Sequence, residues 1–356
     1  MRVLHVVRSD GFAGVEGFVA GLARAQADAG MDVGVIGGDP ARMSRRLGPD
    51  LPHAPAASVM DVVRQVRGAL AGAGADVLNV HMTAAEIGTS VAMALPPAAR
   101  AGRRPRPAVI ATRHFAARRG SGSHLAGRLV AFLAERFVDA EIAVSRYVAE
   151  AVGGNPEVVH TGVPVRTLID PATGVSRGRV VLVAQRLEPE KRTEDAVEVF
   201  ARSGLADAGW RLEIAGDGSM RGRLAERAAR LGVAGSVDLL GMRSDIGELM
   251  DAAGILLAPT PREGLGLSVL EAMAAGLPVL AAGSGGHLET VGSVPGGQLY
   301  GDLAEGADRL RRLAEDESGR AAYGERLRRV QRERFTMEHQ AAATAAVYRR
   351  VVEGRS

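Results

Sequence analysis

A glycine-rich turn between two glutamates, in the segment TPREGLGLSVLEAMAAGLPVLA, could bind a ligand that carries both phosphate and sugar. Glu263 lies in the loop after a predicted strand, Gly264, Leu265 and Gly266 follow it, and Glu271 lies about two turns into the next predicted helix. Free amides at a helix N-terminus bind phosphate oxygens, and carboxylates accept hydrogen bonds from hydroxyl groups of the sugar or ribose. Any single glutamate more often caps a helix or faces solvent, so the hypothesis depends on both glutamates together.

Two of the three cations in the segment VAQRLEPEKRTED, at the end of another predicted strand, could act together. Arg186 and Lys191 bracket a proline-containing turn just before a helix, where both could contact one phosphate group. Lys191 is the only lysine among 44 lysines and arginines, in a chain whose abundant Arg, Ala and Gly is typical of a GC-rich genome. A lysine kept against this bias favours a specific role. The alternative is a solvated pair bridged to Glu188 and Glu190.

The turn after the first predicted strand, GFAGVEGF, contains Gly11, Gly14 and Gly17. It could place backbone near a phosphate at the start of the next helix, and Asp39 could bind a ribose as in dinucleotide-binding proteins. The spacing is not G-x-G-x-x-G, however, and Glu16 would place a carboxylate beside the pyrophosphate. A turn that serves only backbone geometry is the alternative.

Two histidines end neighbouring predicted strands: His81 follows DVLNV and His114 follows AVIATR. Side chains at the carboxyl ends of parallel strands face the place where such folds bind ligands. A histidine at a strand end is nevertheless more often structural.

A basic stretch runs from Arg100 to Arg128, within a region that has eight arginines and no acid between Glu86 and Glu135. It could attract anionic lipid, bind a phosphorylated or acidic acceptor, or be solvated charge. Aromatic residues make up only 3% of the chain, so stacking surfaces for nucleic acid are scarce and we expect no nucleic-acid partner.

The elements that must position these residues follow an α/β pattern. Short β-branched runs, beginning with RVLHVV and DVGVIG, alternate with amphipathic helical stretches such as 15–29 and 58–70. The Pro, Thr, Gly and Ser-rich segment 164–178 interrupts the alternation, which restarts with RVVLVAQR. The chain of 356 residues is therefore predicted to form two doubly wound domains, 1–165 and 179–335, with 166–178 as linker.

Composition excludes several classes of protein. There is no cysteine for a disulfide or a Cys-ligated zinc, and no apolar run long enough to cross a bilayer. The N-terminal MRVLHVV reads as a strand rather than a signal peptide, so a cytoplasmic protein is expected.

The combined motifs resemble family 4 of the retaining nucleotide-sugar glycosyltransferases. Glu263 to Glu271 is similar to the family's E-x7-E element, and Arg186 with Lys191 to its R-L-x-x-E-K element. Further similarities involve a loop near the donor diphosphate, a G-x-G turn, a G-G-x-x-E segment and a closing helix. They lie in Ala13-Gly14-Val15-Glu16, Gly216-Asp217-Gly218, Gly285-Gly286 with Glu289, and RFTMEHQAAATAAVYRRV.

The resemblance implies the GT-B fold, two facing Rossmann-like domains whose last helix, 336–356, crosses back to the first. It implies a retaining glycosyltransferase that moves a sugar from a nucleotide-diphosphate sugar, such as a UDP- or GDP-sugar, to an acceptor hydroxyl of a bacterial metabolite or glycoconjugate. No other cofactor is expected, and no D-x-D motif indicates a metal. The implied catalytic residues are His114, Arg186, Lys191 and Glu263. The implied donor-binding residues are Gly14, Glu16, Gly216, Gly218, Gly264, Leu265, Gly266 and Glu271, and the implied acceptor-binding residues are His81 and Arg113.

Two other functions stay open on the sequence alone: an NAD-dependent oxidoreductase that uses the GFAGVEGF turn, and a non-catalytic nucleotide-sugar binding module. The expected partners are the nucleotide sugar and a small or lipid-linked acceptor, with peripheral contact at the inner membrane through the basic stretch. The sequence determines neither the nucleotide base, the sugar and the acceptor nor the oligomeric state.

Overall fold

The protein is described by a computed structural model that covers residues 1–8, 14–96, 105–117, 132, 136–166 and 177–355. The chain divides into two compact units, one made of Met1–Gly162 with Met337–Ser356 and the other of Val163–Thr336. Each unit has its own parallel sheet.

Strands and helices alternate through most of the described chain, which ends in three consecutive helices. The strands are β1 (Arg2–Val7), β2 (Asp32–Gly37), β3 (His53–Ala54), β4 (Val77–His81), β5 (Ala108–Arg113), β6 (Ala140–Ala143), β7 (Glu157–Val158), β8 (Val180–Ala184), β9 (Arg211–Ala215), β10 (Val237–Gly241), β11 (Ile255–Ala258), β12 (Val279–Ala282) and β13 (Gln298–Tyr300). The helices are α1 (Gly14–Asp28), α2 (Pro40–Leu47), α3 (Val59–Ala71), α4 (Thr83–Ala94), α5 (Arg146–Val152), α6 (Thr193–Ser203), α7 (Arg221–Arg230), α8 (Ile246–Ala252), α9 (Leu267–Ala274), α10 (Leu303–Glu315), α11 (Glu317–Arg334) and α12 (Met337–Glu353).

The first unit has a seven-stranded sheet in the order β3-β2-β1-β4-β5-β6-β7. All of its neighbouring strands are parallel. The order reverses between β1 and β4, and ligands of such sheets bind beyond the carboxyl ends of the strands at this point. His81, the last residue of β4, therefore lies at the switch point of this sheet.

The second unit has a six-stranded parallel sheet in the order β10-β9-β8-β11-β12-β13. Its order reverses between β8 and β11, so the loops after these two strands form the ligand-binding end of this sheet. The loop after β8 contains Lys191 and the loop after β11 contains Glu263.

Both sheets are central layers, since their central strands are largely buried on both faces. In β1 (RVLHVV) every residue after Arg2 is buried, as expected for a strand covered by helices on each side. Helix α3 begins with a capping box, in which Ser58 and Asp61 each accept a hydrogen bond from the other's backbone amide.

Helix α12 belongs to the first unit, which confirms the predicted return of the C-terminal helix. Val347 and Tyr348 pack in one buried cluster with Val3 of β1 and Val77 of β4. A Cβ atom at Gly21 of α1 would lie 2.7 Å from the Met337 side chain, so glycine permits the close approach of the two helices.

The α/β class with two doubly wound parallel sheets is as predicted from the sequence. Two short strands, β3 and β13, were not predicted. In the described part of the chain, no helix is long and apolar enough to span a membrane.

Candidate functional site

The second unit brings Lys191 and Glu263 together. Lys191 Nζ donates a hydrogen bond to Glu263 Oε2 at 2.6 Å, and the two side chains are 19% and 23% exposed. They are thus shielded but still reachable from solvent. A partly desolvated ion pair holds a cation in one place more firmly than a surface pair does.

The backbone at Lys191 is held independently of its side chain. Gln185 Nε2 donates to the carbonyl oxygen of Lys191 at 3.0 Å and to Thr193 Oγ1 at 2.9 Å. Thr260 Oγ1 in turn donates to Gln185 Oε1 at 2.8 Å. These bonds join the loop after β8 to the loop after β11, so the positions of both charged residues depend on one network.

The predicted glycine-rich turn forms the start of α9. Gly266 has a φ of 93°, which favours glycine, and caps the helix. Gly286 donates its amide to the carbonyl oxygen of Glu263 at 2.8 Å, and a Cβ atom there would lie 2.4 Å from the Gly264 oxygen. Gly264, Leu265 and Gly266 are all buried. The G-G-x-x-E segment therefore braces the turn that carries Glu263.

The predicted G-x-G turn has a packing reason. Gly216 and Gly218 have φ values of 148° and 155°. A Cβ atom would lie 1.9 Å from the Gln185 oxygen in the first case and 2.5 Å from the Leu187 oxygen in the second. The glycines let the loop after β9 pass close to the loop after β8, and their contact with a donor stays a prediction.

Arg186 has a different environment from Lys191. Its side chain is 56% exposed, and Nη2 donates to Glu190 Oε1 at 3.0 Å. The solvated pair that the sequence left as an alternative is therefore present for Arg186, whereas Lys191 is paired across the two loops.

Glu271 is exposed on α9, eight residues after Glu263.

His287 lies near this site and was not predicted from the sequence. Its side chain is 1% exposed, and its Nδ1 atom lies 3.1 Å from the carbonyl oxygen of Ala282. Burial lowers its pKa, and the charge of Glu263 acts in the opposite direction. Its place directly after Gly285-Gly286 was the available signal.

In the first unit, four polar side chains form a line that we call the histidine row: Gln26, His5, His81 and His114. His5 Nε2 lies 2.8 Å from Gln26 Oε1, and His5 Nδ1 lies 3.1 Å from His81 Nε2. His81 Nδ1 lies 3.1 Å from His114 Nε2. The two predicted histidines are thus in contact, and His5 and Gln26 extend the row into the core.

The histidine row is uncharged near neutral pH. His5 and His81 are fully buried. Burial lowers the pKa of His5 to about 4, and burial together with the charge of Arg113 lowers that of His114 to about 3. The pKa of His81 is also well below its ordinary value, mainly through burial.

We expect the free energy of unfolding to fall as the pH is lowered from 7 to 5. Unfolded histidines titrate near pH 6.5, so below that value the unfolded chain binds protons that the folded histidine row does not. Each histidine adds up to about 1.4 kcal/mol per pH unit to this slope.

Urea unfolding at pH 7, 6 and 5 measures the slope. His5→Asn should make the slope shallower than in the wild type, because it removes one of these buried histidines. Equal slopes for wild type and His5→Asn would show that His5 is not a source of the acid sensitivity.

A second group of hydrogen-bonded side chains, Asn79, Thr112 and Tyr348, lies beside the histidine row. Asn79 Nδ2 donates to the Tyr348 hydroxyl oxygen at 2.5 Å, and Thr112 Oγ1 donates to Asn79 Oδ1 at 2.8 Å. Burial raises the pKa of Tyr348, and the side chains of Gln26 and Asn79 act against that rise. Helix α12 is therefore attached to the sheet by a specific polar contact as well as by apolar packing.

Arg113 is occupied by carboxylates. Its Nη1 lies 2.7 Å from Glu86 Oε2 and its Nη2 lies 2.5 Å from Glu141 Oε1, and the arginine side chain is only 12% exposed. Burial would lower the pKa of Arg113, but the hydrogen bonds and charges of Glu86 and Glu141 outweigh it and raise the pKa. The geometry gives Arg113 a structural ion-pair role, and its contact with an acceptor stays a prediction.

Ala13, the first residue of the predicted loop near the donor diphosphate, lies outside the described residues, and so does Gly11. Gly14 is the first residue of α1, and Glu16 in the first turn is fully buried. A carboxylate in the first turn of a helix interacts favourably with the helix dipole, which gives Glu16 a structural role compatible with the prediction.

Most of the basic stretch also lies outside the described residues, including Arg103, Arg104, Arg118 and Arg119. Arg106 donates to the Phe137 oxygen at 2.5 Å and to Asp139 at 3.2 Å. The described arginines of this stretch, Arg106 and Arg113, are thus both paired with carboxylates. Among the described residues, no three His, Cys, Asp or Glu side chains are grouped so that they could hold a metal ion.

Most of the second unit matches a known protein family. Residues 165–330 match the family model described as Glycosyl transferases group 1. The 2-deoxystreptamine glucosyltransferase of Streptomyces kanamyceticus is 34% identical over 181 residues, 49% of this chain and 46% of that protein. The D-inositol 3-phosphate glycosyltransferase of Mycobacterium tuberculosis is 30% identical over 231 residues, 58% and 47% of the two chains. The chain thus spans less than half the length of these relatives.

The whole chain is similar in structure to Anabaena Alr3699/HepE, solved in complex with UDP and glucose. The TM-score is 0.78 at 21% sequence identity, and the match covers 98% of this chain and 99% of that one. The fold is that of the GT-B glycosyltransferases, as the resemblance implied. Residues 165–330, just under half of the chain, are thus similar in sequence to the glycosyl transferases group 1.

Proposed function

We propose that the protein is a retaining glycosyltransferase that transfers a sugar from a nucleotide-diphosphate sugar to an acceptor hydroxyl group. The observation that carries this proposal is the Lys191–Glu263 pair beside the N-terminus of α9, within the matched residues. Lysine and free helix amides can stabilise the charge that develops on the leaving diphosphate, and this lowers the barrier when it is stronger in the transition state. Glu263 would accept hydrogen bonds from the sugar, and Glu271 from the ribose.

Retention is assigned to attack from the face that the diphosphate leaves, within one ion pair. This path needs no protein nucleophile. The carboxylate pair of a retaining glycosidase would require two facing acids about 5 Å apart, which the sequence does not indicate.

The alternatives receive no support from the relatives named above, which are glycosyltransferases. A ligand screen by thermal shift separates them: we expect UDP or GDP to raise the melting temperature, and NAD to leave it unchanged. At 100 times its dissociation constant a ligand adds about 2.7 kcal/mol of stability, which is easily measured. A response to NAD alone would favour the oxidoreductase. Donor binding without transfer or hydrolysis, across a panel of nucleotide sugars and acceptors, would favour the binding module.

We expect activity to survive excess EDTA, because Lys191 and the helix amides are proposed to neutralise the diphosphate. Donor hydrolysis is measured with and without EDTA, and then with added Mg²⁺ or Mn²⁺. Activity that EDTA removes and either ion restores would establish a metal requirement.

We infer that the acceptor is a small polar metabolite or a lipid-linked glycoconjugate. The names of two relatives contain 2-deoxystreptamine and D-inositol 3-phosphate, so these compounds are the first to test. We place the reaction in the cytoplasm, with the basic stretch 100–128 as the segment for contact with the inner membrane. Since Arg106 and Arg113 are paired, that contact depends on the other arginines, and co-sedimentation with anionic vesicles tests it.

A further inference from the structure

The histidine row has a direction, which follows from its first member. Gln26 presents its side-chain oxygen to His5 Nε2 at 2.8 Å, and a carbonyl oxygen can only accept. His5 Nε2 therefore carries the proton. A neutral imidazole has one N–H, so His5 Nδ1 is an acceptor and must receive the proton of His81 Nε2, 3.1 Å away.

The same step repeats at the next contact. His81 Nδ1 is now the acceptor, so His114 Nε2, 3.1 Å away, must be the donor. All three histidines are then Nε2–H tautomers, and the remaining lone pair of the row is on His114 Nδ1. The low pKa values of the three rings keep this arrangement uncharged.

The row runs from the core toward the surface. Gln26, His5 and His81 are fully buried, whereas His114 is half-buried at the end of β5. The His114 ring packs edge-on against Phe18, with 4.6 Å between the ring centroids, and this fixes its plane. Within the described residues, no protein group hydrogen-bonds to His114 Nδ1, so the acceptor atom is left for a ligand.

We propose that Gln26, His5 and His81 are positioning residues that hold His114 as the Nε2–H tautomer, so that its Nδ1 accepts a hydrogen bond from a hydroxyl group of the sugar substrate. This inference rests on the proposed glycosyltransferase function. If the row only filled the core, substitutions in it would lower the stability of the fold, but the direction of its hydrogen bonds would not affect activity. If it positions His114, reversing the direction would turn the acceptor into a donor and weaken the contact with the hydroxyl group.

The tautomers can be read directly from the wild-type protein. In a sample with ¹⁵N-labelled histidine, we expect His5, His81 and His114 all to be protonated on Nε2 and not on Nδ1 near pH 7. Because the orientation of an amide is assigned from its surroundings, this measurement also tests the Gln26 orientation. An Nδ1–H tautomer at any of the three positions would overturn the proposal.

Gln26→Leu removes the group that sets the direction. We expect a mixture of tautomers at His5 and His114 and a loss in kcat/KM of roughly 5- to 10-fold, the scale of one neutral hydrogen bond. Thr112→Val is the matched control, since it removes a buried hydrogen bond to Asn79 outside the row. It should cost stability but change neither the tautomers nor kcat/KM. Changed tautomers with wild-type kcat/KM in Gln26→Leu would contradict the positioning role.

Two substitutions of His114 keep the test open if Gln26→Leu does not fold. The side-chain amide of asparagine lies about as far from Cα as Nδ1 does in histidine. The side-chain amide of glutamine lies about as far from Cα as Nε2 does in histidine. We expect His114→Asn to keep roughly 10-fold more kcat/KM than His114→Gln, because only asparagine can place an acceptor at the Nδ1 position. Equal or reversed activities would refute the Nδ1 contact. If wild type shows neither transfer nor donor hydrolysis, the proposed function fails; a wrong tautomer in an active enzyme counts against the row alone.

Discussion

Lys191→Ala is expected to lower kcat by roughly 100-fold or more, the scale for losing one preorganised group that stabilises transition-state charge. Lys191 lies in the loop after β8, and its Nζ is held 2.6 Å from Glu263. Its backbone is fixed by Gln185 and Thr260 rather than by its side chain. The variant should therefore fold, and the loss should appear in kcat at saturating donor rather than in melting temperature.

Two companion variants make the result specific. Lys191→Arg should not restore full activity, because a planar guanidinium does not fit a place shaped for a compact ammonium group. Arg192→Ala is the matched control: Arg192 is the next residue, its side chain is 57% exposed, and it pairs with Asp195. We expect this variant to have nearly wild-type kinetics. A wild-type kcat in Lys191→Ala would end the proposed role.

Arg186 was predicted to act with Lys191, and the structure changes the expected size of its effect. Since Arg186 is 56% exposed and paired with Glu190, we expect Arg186→Ala to lower kcat much less than Lys191→Ala. An equal loss in both variants would indicate that Arg186 leaves Glu190 for the diphosphate during turnover.

The elements of the fold were largely predictable because they depend on local patterns. Helix 15–29 was predicted and Gly14–Asp28 is observed; the last helix was predicted within 336–356 and is observed at Met337–Glu353. Strands β3 and β13 were missed because two- and three-residue edge strands have no periodicity to detect.

The contact between Lys191 and Glu263 arises from two neighbouring loops, and their binding of a donor stays a prediction. The sequence places Lys191 and Glu263 in loops after β8 and β11, which are adjacent in the sheet. It does not contain the pairing itself, because 72 residues separate the two side chains. The exposure of Arg186 and the carboxylates around Arg113 likewise follow from tertiary packing and not from spacing.

Only two of the four members of the histidine row, His81 and His114, were predicted from the sequence. His5, Asn79, His81, Thr112 and His114 all point to one face of the sheet, because strand residues alternate in direction and the registers align them. Polar residues at these alternating positions of three buried strands were the signal from which the row could have been predicted. Gln26 comes from a helix face that packs on the sheet, so no pattern in the sequence links it to His5.

Glu263→Gln and Glu271→Gln are expected to differ in kind. Glu263 contacts Lys191 and is proposed to bind the reacting sugar, whose ring flattens in the transition state, so its replacement should mainly lower kcat. Glu271 is exposed on α9 and is proposed to bind ribose, whose contacts hardly change during transfer. Its replacement should mainly raise the KM for the donor. Steady-state kinetics and melting curves on both variants distinguish these effects from a loss of folded protein.

The Lys191–Glu263 contact adds a further test of the same site. If the pair acts as a unit, the double variant Lys191→Ala with Glu263→Gln should lose much less activity than the product of the two single losses. Lys191→Ala with Glu271→Gln is the matched control, and its losses should multiply, because Glu271 is proposed to act on a different part of the donor. Multiplicative losses in the first double variant would mean that the two residues contribute separately. Unchanged kinetic constants with lower melting temperatures in both single glutamate variants would mean that these side chains only brace the loop and the helix, and would remove the site on which the proposed function depends.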